Sequence, residues 1–150
     1  MKRYIEIEKL VYQEIEKNCF GNKKRNGYRH LFGVSQLCLL YSIRFQLDQE
    51  LCAIMGLLHD YSVYKNNTSF NHAVLSSELA EKLLKETLLF DEKEIEIIVE
   101  AIKNHSTKNK RHDTYSELLK MCDVVDSYLH EPEMMLDHDR KYYLEKWRNL

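Results

Sequence analysis

The stretch LCAIMGLLHD, residues 51–60, ends an unbroken apolar run with a histidine and an aspartate side by side. An apolar run bounded by polar residues is typical of a helix segment that faces a protein core. Burying the carboxylate of Asp60 without a partner would cost several kcal/mol or more, so a compensating group is needed. A divalent transition metal would supply it, because imidazole nitrogen and carboxylate oxygen are both good ligands for such ions. The pair His59-Asp60 therefore predicts part of a metal site.

Four other segments place a histidine or an aspartate on an apolar stripe with the three- and four-residue spacing of one helix face. These residues are His30, His72, His105 and Asp123. Each one alone is explained better by a core side chain with satisfied hydrogen bonds. Five separate helices that direct such groups toward one interior favour a shared metal site. By contrast, His112, His130 and His138 lie among polar residues, which predicts solvated surface positions.

The order His30, His59-Asp60, Asp123 resembles the H…HD…D signature of the HD superfamily of metal-dependent phosphohydrolases. The resemblance covers roughly residues 26–129 and implies an all-α, single-domain helical bundle with a metal centre in its core. His72 and His105 look like the two further ligands of the binuclear subgroup. The six-ligand pattern is similar to that of bacterial HD hydrolases that split diadenosine tetraphosphate symmetrically. The ligands implied by the resemblance are His30, His59, Asp60, His72, His105 and Asp123.

Two departures from the family pattern narrow the resemblance. Many HD proteins place a lysine four residues after the motif aspartate, where this chain has Tyr64 followed by Lys65. No Gly-Tyr-Pro stretch follows His105, which disfavours a cyclic-di-GMP phosphodiesterase of the HD-GYP type.

The predicted ligands indicate a hydrolytic mechanism. Asp60 has two oxygens and can bridge two cations, with His30, His59 and Asp123 on one of them and the remaining histidines on the other. A water held between two cations loses its proton near neutral pH and can attack phosphorus. Imidazole-rich sites suit transition metals better than Mg²⁺. We expect two divalent ions, with Fe or Mn favoured and Zn, Co or Ni as alternatives.

Basic residues near the ligands are candidates for contacts to substrate phosphate. Arg29 adjoins His30, and Lys65 lies five residues past Asp60, so these two are predicted to act in catalysis together with Asp60. Weaker candidates on the expected rim of the pocket are Lys103, Lys108, Arg111 and His112.

The chain is predicted to be a single HD domain, residues 1–150, with its core at about 26–129. Helices are expected near 3–18, 28–46, 49–60, 72–88, 92–105, 115–129 and 138–148. Asp48 has the position of an N-cap, and Asp91 with Glu94 and Thr114 with Glu117 have capping-box spacing. The loops 61–71 and 106–113 follow ligand-bearing helix ends, so we expect them to form the rim of the metal pocket.

The charge and cysteine content of the chain limit the partners and the compartment that we expect. The net charge is −2 and both signs are interspersed, which gives no case for a nucleic-acid or membrane surface. The four cysteines lack CxxC spacing, as expected in a reducing cytoplasm. We predict a small phosphorylated substrate, a nucleotide above all, and leave homodimer formation open. Two other functions remain: a di-iron oxygenase of the HD type, and a regulatory or binding module that keeps its metal without turnover.

Overall fold

The computed structural model describes all 150 residues, Met1–Leu150, and contains helices but no strand. The predicted all-α fold is confirmed. The eight helices are α1 Lys2–Asn18, α2 Gly21–Ser42, α3 Gln49–Leu58, α4 Tyr61–Lys65, α5 His72–Thr87, α6 Glu92–Asn104, α7 Thr114–His130 and α8 His138–Arg148. None of them combines the length and the apolar composition that crossing a bilayer requires.

Helix α3 is the centre of the bundle. Every residue from Leu51 to Leu58 is buried, because α3 packs against α1, α2, α6 and α7. Its contact with α2 is very close: a Cβ placed on Gly56 would lie 2.8 Å from the Cα of Ser35. Any side chain larger than hydrogen at position 56 would push the two backbones apart. His30 lies inside α2, and His59 and Asp60 follow directly at the end of α3, so the closely packed helix pair positions three of the predicted ligands.

Capping explains where several helices begin. The side chain of Asp48 accepts a hydrogen bond from the backbone N–H of Leu51, as predicted for the start of α3. Asp91 and Glu94 form the predicted capping box at the start of α6. The predicted cap at Thr114 is wrong, because Asp113 caps α7 instead. An aspartate carboxylate accepts the orphan N–H groups of a first turn better than a threonine hydroxyl.

Both ends of α2 and the segment after residue 60 also differ from the prediction, and α2 ends at Ser42 rather than near residue 46. Helix α2 begins at Gly21 rather than near residue 28, so it has 22 residues and gives His30 a place well inside the helix. The segment predicted as a loop from residue 61 begins instead with the short helix α4. Tyr61 and Tyr64 of α4 are buried in the main core, and this packing stabilises a helix too short for periodicity to reveal.

Candidate metal centre

His59 and Asp60 occupy the junction between α3 and α4. His59 is the C-cap residue of α3, its side chain is fully buried, and its Nδ1 lies 2.7 Å from the carbonyl oxygen of Gly56. Asp60 is the N-cap residue of α4 but makes no side-chain capping bond. Its carboxylate is therefore left for the interior, where the other predicted ligands lie.

The two oxygens of Asp60 face different pairs of histidines. Oδ2 lies 3.4 Å from Nε2 of His30 and 3.3 Å from Nε2 of His59. Oδ1 lies 3.5 Å from Nε2 of His72 and 3.2 Å from Nε2 of His105. Oδ1 is buried and has no hydrogen-bond partner in the protein. A buried carboxylate oxygen of this kind requires a compensating group.

Asp123 completes the cluster from α7. Its Oδ1 lies 3.2 Å from Nε2 of His30 and 3.5 Å from Nε2 of His59. Its Oδ2 accepts a hydrogen bond from Nζ of Lys108 at 2.9 Å, and the same ammonium donates to the carbonyl oxygen of His105 at 3.0 Å. Lys108 therefore occupies one oxygen of Asp123 and leaves the other facing the histidines.

All four histidines of the cluster use Nδ1 for a hydrogen bond and direct Nε2 inward. Nδ1 of His59, His72 and His105 lies near the carbonyl oxygens of Gly56, Ser69 and Ile102, at 2.7, 3.3 and 2.6 Å. A carbonyl can only accept, so these Nδ1 atoms carry the proton and the neutral ring has its lone pair on Nε2. This is the arrangement in which an outer acceptor fixes the tautomer of a metal-bound histidine.

For His30 the outer acceptor is Asp126, whose Oδ2 lies 2.7 Å from Nδ1. Asp126 is buried on α7, one turn beyond Asp123. The approach depends on Gly33, since a Cβ at that position would lie 2.2 Å from Oδ1 of Asp126. Asp126 is not among the residues predicted from the sequence, although its three-residue spacing from Asp123 places both on one helix face.

The cluster perturbs the pKa values of its members. Burial disfavours the charged form of His30, but hydrogen bonds to Asp123 and two other carboxylates outweigh it and raise the pKa of His30 to about 12. Burial likewise opposes charge on His59, yet the neighbouring Asp60 raises its pKa to about 9. Burial lowers the pKa of His105 below its ordinary value. Although burial opposes it, the imidazoles hold the pKa of Asp60 well below the usual range.

These groups fit divalent cations. Three overlapping sets of side chains place their donor atoms within 4.8 Å of one another, and His59, Asp60 and His105 each belong to two of the sets. Nε2 and carboxylate donors are the ligand types that transition metals prefer. In the absence of a cation, protons on His30 and His59 neutralise the carboxylates. A bound cation would instead take the deprotonated Nε2 atoms and the unpartnered Oδ1 of Asp60 as ligands.

The sequence profile of the HD domain family matches residues 27–129.

 Every predicted ligand, from His30 to Asp123, thus lies within the matched range. The chain belongs to the HD domain family. HD domains bind divalent metals, in agreement with the donor set of the cluster.

One solved structure shares the fold of this HD domain. It is a predicted HD superfamily hydrolase from an uncultured Thermotogales bacterium, with a TM-score of 0.63 and 19% sequence identity, over 93% of this chain and 84% of that one. A comparison with curated proteins finds no match. The family and the fold are therefore established by the domain match and by this structure, and the chemistry is argued from the side chains.

Two adjoining clefts lead from the surface of the HD domain to the metal cluster. The first, of about 270 Å³, is lined by the proposed ligands His30, Asp60 and Asp123, and its outer wall includes Arg140 of α8. The second, of about 440 Å³, contains Arg29 and His130. Both are also lined by Ser127 and Met134. The end of α7, the segment 131–137 and the start of α8 therefore contribute to the walls of these clefts, which the sequence did not predict.

The two basic residues predicted to act in catalysis lie in different places. Arg29 lines the second cleft beside His30. Lys65 lines neither cleft; its Nζ lies 3.6 Å from Oε1 of Glu14 and 5.5 Å from the centre of the Tyr61 ring. The structure thus brings Arg29, but not Lys65, to the approach to the cluster.

Of the three histidines predicted to be solvated, only His138 is fully exposed. His130 lines the second cleft, with Nε2 3.5 Å from Oδ1 of Asp126. Nδ1 of His112 accepts a hydrogen bond from the fully buried Lys120, whose Nζ also donates to Glu117. The polar sequence around His112 and His130 does not predict these contacts, because the partner of each histidine is a side chain of α7.

Proposed function

We propose that this HD domain is a metal-dependent phosphohydrolase with a binuclear centre, acting on a nucleotide, a dinucleoside polyphosphate or a related phosphate ester. The observation that carries the proposal is the division of Asp60 between two histidine pairs, with Oδ2 facing His30 and His59 and Oδ1 facing His72 and His105. A bridging carboxylate is the arrangement that two neighbouring cations require. The same pattern supports a likeness to the bacterial HD hydrolases that split diadenosine tetraphosphate symmetrically.

The ligands divide into two sets. His30, His59 and Asp123 would hold one cation and His72 and His105 the other, with Asp60 shared between them. Two divalent ions supply Lewis-acid stabilisation of a phosphoryl group and activate water near neutral pH. Fe and Mn suit a site with four imidazoles, and Zn, Co and Ni are alternatives.

The other side chains of the site hold the ligands and receive the substrate. Lys108 binds Oδ2 of Asp123 and so keeps a single oxygen of that carboxylate facing the histidines. Arg29, which lines the second cleft together with His30, would attract a phosphate group toward the metal centre. We propose a small phosphorylated substrate with no role for nucleic acid or membrane. Homodimer formation is to be decided by the mass of the protein in solution.

The proposal is tested by elemental analysis of protein purified without chelator, followed by a substrate panel with the metal found. The panel contains nucleoside mono-, di- and triphosphates, diadenosine polyphosphates and p-nitrophenyl phosphate, with phosphate and nucleotide products quantified. We expect close to two metal ions per chain and hydrolysis of at least one nucleotide substrate. Metal-loaded protein that hydrolyses none of them would overturn the proposal.

Single-ligand variants distinguish one metal ion from two. His72→Ala and His105→Ala should each lower the metal-to-protein ratio by up to one and leave the fold intact. His138→Ala, at a fully exposed position, is the matched control and should change neither quantity. If His72→Ala and His105→Ala retain the wild-type ratio, the binuclear assignment is wrong and a single cation bound by His30, His59, Asp60 and Asp123 replaces it.

Two other outcomes identify the alternative functions. An oxidised-state absorption band together with O₂ consumption would identify a di-iron oxygenase. A full metal complement with turnover of neither phosphate esters nor O₂ would identify a regulatory or binding module.

A further inference from the structure

Arg140 is the only basic residue besides the proposed ligand His30 in the cleft that opens onto the metal cluster. It lies near the start of α8, whereas the ligands come from α2 to α7 and the junctions between them. We propose that Arg140 binds a second phosphate group, next to the one held at the metal centre, and so gives this site a preference for phosphoanhydrides over phosphomonoesters. The proposal rests on the proposed function and names the class of substrate for the same site.

The position of Arg140 is fixed by the helix start. Its backbone N–H donates to Oδ1 of Asp137 at 2.8 Å, which caps α8, and its guanidinium also bonds to the Asp137 carboxylate. A guanidinium has five N–H donors in a planar fork, so the bond to Asp137 leaves donors for a ligand in the cleft. Because the cap itself uses the backbone N–H, replacing the side chain leaves it in place.

The walls of the cleft favour an anion there. Between the ligands and Arg140 the lining consists of Val124, Met134 and Leu136, with Ser127 as its only uncharged polar side chain. Apolar walls reduce the screening of charge, so an arginine and a phosphate attract each other more strongly than in open solvent. A phosphate between the cations and Arg140 would have positive charge on both sides.

The dimensions of the two clefts agree with a larger substrate. Ligand pockets usually enclose about 300–1,000 Å³. The first cleft, at about 270 Å³, is small for a whole nucleotide, but it joins the second, of about 440 Å³, along His30, Ser127 and Met134. The anhydride would lie in the first cleft and the nucleoside would extend into the second or toward solvent.

A matched control is present on the same helix. Arg148 pairs with Glu145 three residues earlier, as Arg140 pairs with Asp137, and the two arginine side chains are 46% and 47% exposed. Arg148 lines neither cleft. Arg148→Gln therefore removes the same charge and the same type of ion pair from α8 without changing the cleft.

The test compares wild type, Arg140→Gln, Arg140→Lys and Arg148→Gln, each loaded with the same metal. Arg140→Gln should lower kcat/KM for nucleoside diphosphates, triphosphates and diadenosine polyphosphates by about 10- to 100-fold, as expected for a lost charged hydrogen bond. Its kcat/KM for p-nitrophenyl phosphate should stay within about twofold of wild type, because a monoester lacks the second phosphate. Arg140→Lys should give an intermediate value, since lysine keeps the charge but lacks the planar fork.

A binding measurement separates this proposal from the proposed function. Inorganic pyrophosphate and inorganic phosphate are titrated into metal-loaded protein in a calorimeter, which needs no turnover. Wild type and Arg148→Gln should bind pyrophosphate more tightly than phosphate, and Arg140→Gln should lose this preference. If wild type hydrolyses phosphate esters but Arg140→Gln matches Arg148→Gln in both measurements, Arg140 is not a phosphate ligand. If no ester is hydrolysed, the proposed function fails, and the titration still decides whether Arg140 binds the second phosphate.

Discussion

Helix α7 carries two buried polar clusters, and they differ in whether the protein alone satisfies them. In the first, which we call the Lys120 network, the buried Lys120 donates to Glu117, to His112 and to the carbonyl oxygen of Lys110. Glu117 accepts in turn from the hydroxyl of Tyr143. Each charged atom of this network has a protein partner of the right kind, so the network is complete as the chain folds.

The metal cluster contacts α7 further along, at Asp123 and Asp126, and the protein alone does not satisfy its polar atoms. Asp123 shares the interior with another carboxylate and four imidazoles, and Oδ1 of Asp60 has no hydrogen-bond partner. Protein groups here supply the outer hydrogen bonds, to Nδ1 of each histidine and to Asp123, and leave the inner donor atoms facing one another. Burial of charge alone therefore does not indicate a cofactor. The informative feature is a group of side chains whose outward-facing atoms are hydrogen-bonded to the protein while their inward-facing donor atoms lack protein partners.

The largest expected effect comes from removing the shared carboxylate of the metal cluster. Asp60→Ala should abolish turnover and lower the bound metal, because neither proposed site keeps its full set of ligands. Asp60→Asn keeps the size but removes the charge and should also lose most activity, since an amide is a poor bridging ligand. Metal content by elemental analysis and initial rates check both variants. Full metal content with near-normal turnover in Asp60→Ala would contradict a metal centre at this place.

The converse change breaks the Lys120 network. Lys120→Met removes the cation that contacts Oε2 of the buried Glu117 carboxylate and leaves only the more distant Arg111, and removing one partner of a buried ion pair costs about 3–5 kcal/mol. Chemical denaturation should show a free energy of unfolding lower by that amount, whereas the metal-to-protein ratio of the folded variant should equal that of wild type. A loss of metal in Lys120→Met would show that the two clusters are not independent.

Metal removal should distinguish the clusters by stability. A cation that binds only the folded state stabilises it by about 2.7 kcal/mol at a hundredfold excess over its dissociation constant. Chelation should therefore lower the Tm of wild type by several degrees, and metal should restore it. Lys120→Met should lose a similar free energy on chelation, and Asp60→Ala should lose almost none. An unchanged Tm in wild type verified to be metal-free would contradict a central metal cluster.

The outer bond to His30 has a smaller effect. Asp126→Asn weakens the acceptor of the Nδ1 hydrogen bond and should reduce metal affinity by about 10- to 100-fold. Gly33→Ala should act in the same direction, because its methyl group would displace the Asp126 carboxylate from His30. Competition with a chelator of known affinity measures both. If Asp126→Asn binds metal as tightly as wild type, the bond to His30 does not tune this centre.

The smallest expected effect is the change in metal affinity with each unit of pH. His59 has a pKa of about 9 in the metal-free fold, above its unfolded value near 6.5, so its charge stabilises the metal-free fold fully below about 6.5 and this contribution is lost as pH rises through about 9. A cation must displace that proton, so metal affinity should rise at least about tenfold per pH unit between 6.5 and 9, about 1.4 kcal/mol each. Metal titrations at three pH values in this range check the slope; a flat profile would show that no proton is displaced.

The clustering of the four histidines and two aspartates could be predicted from the sequence, because each of them lies at helical spacing on an apolar stripe. Asp126 could have been found in the same way, since it lies one turn from Asp123, but an outer acceptor leaves no motif of its own. The position of Arg140 could not have been predicted from the sequence, because Arg140 lies on the mostly exposed helix α8 and only the packing of α8 against α7 brings it to the cleft. Lys65 is the opposite case: it is close to Asp60 in sequence, but its ammonium lies beside Glu14 and outside both clefts.

The distance along the chain between His30 and Asp123 has a consequence for biosynthesis. A growing polypeptide emerges from its N-terminus at about 5–20 residues per second, so five of the six proposed ligands leave the ribosome before Asp123 does. Any binding of a cation to the dispersed ligands of the nascent chain would favour the unfolded form. The full set exists only after α7 docks against α2 and α3. Tight metal retention is therefore a marker of completed folding.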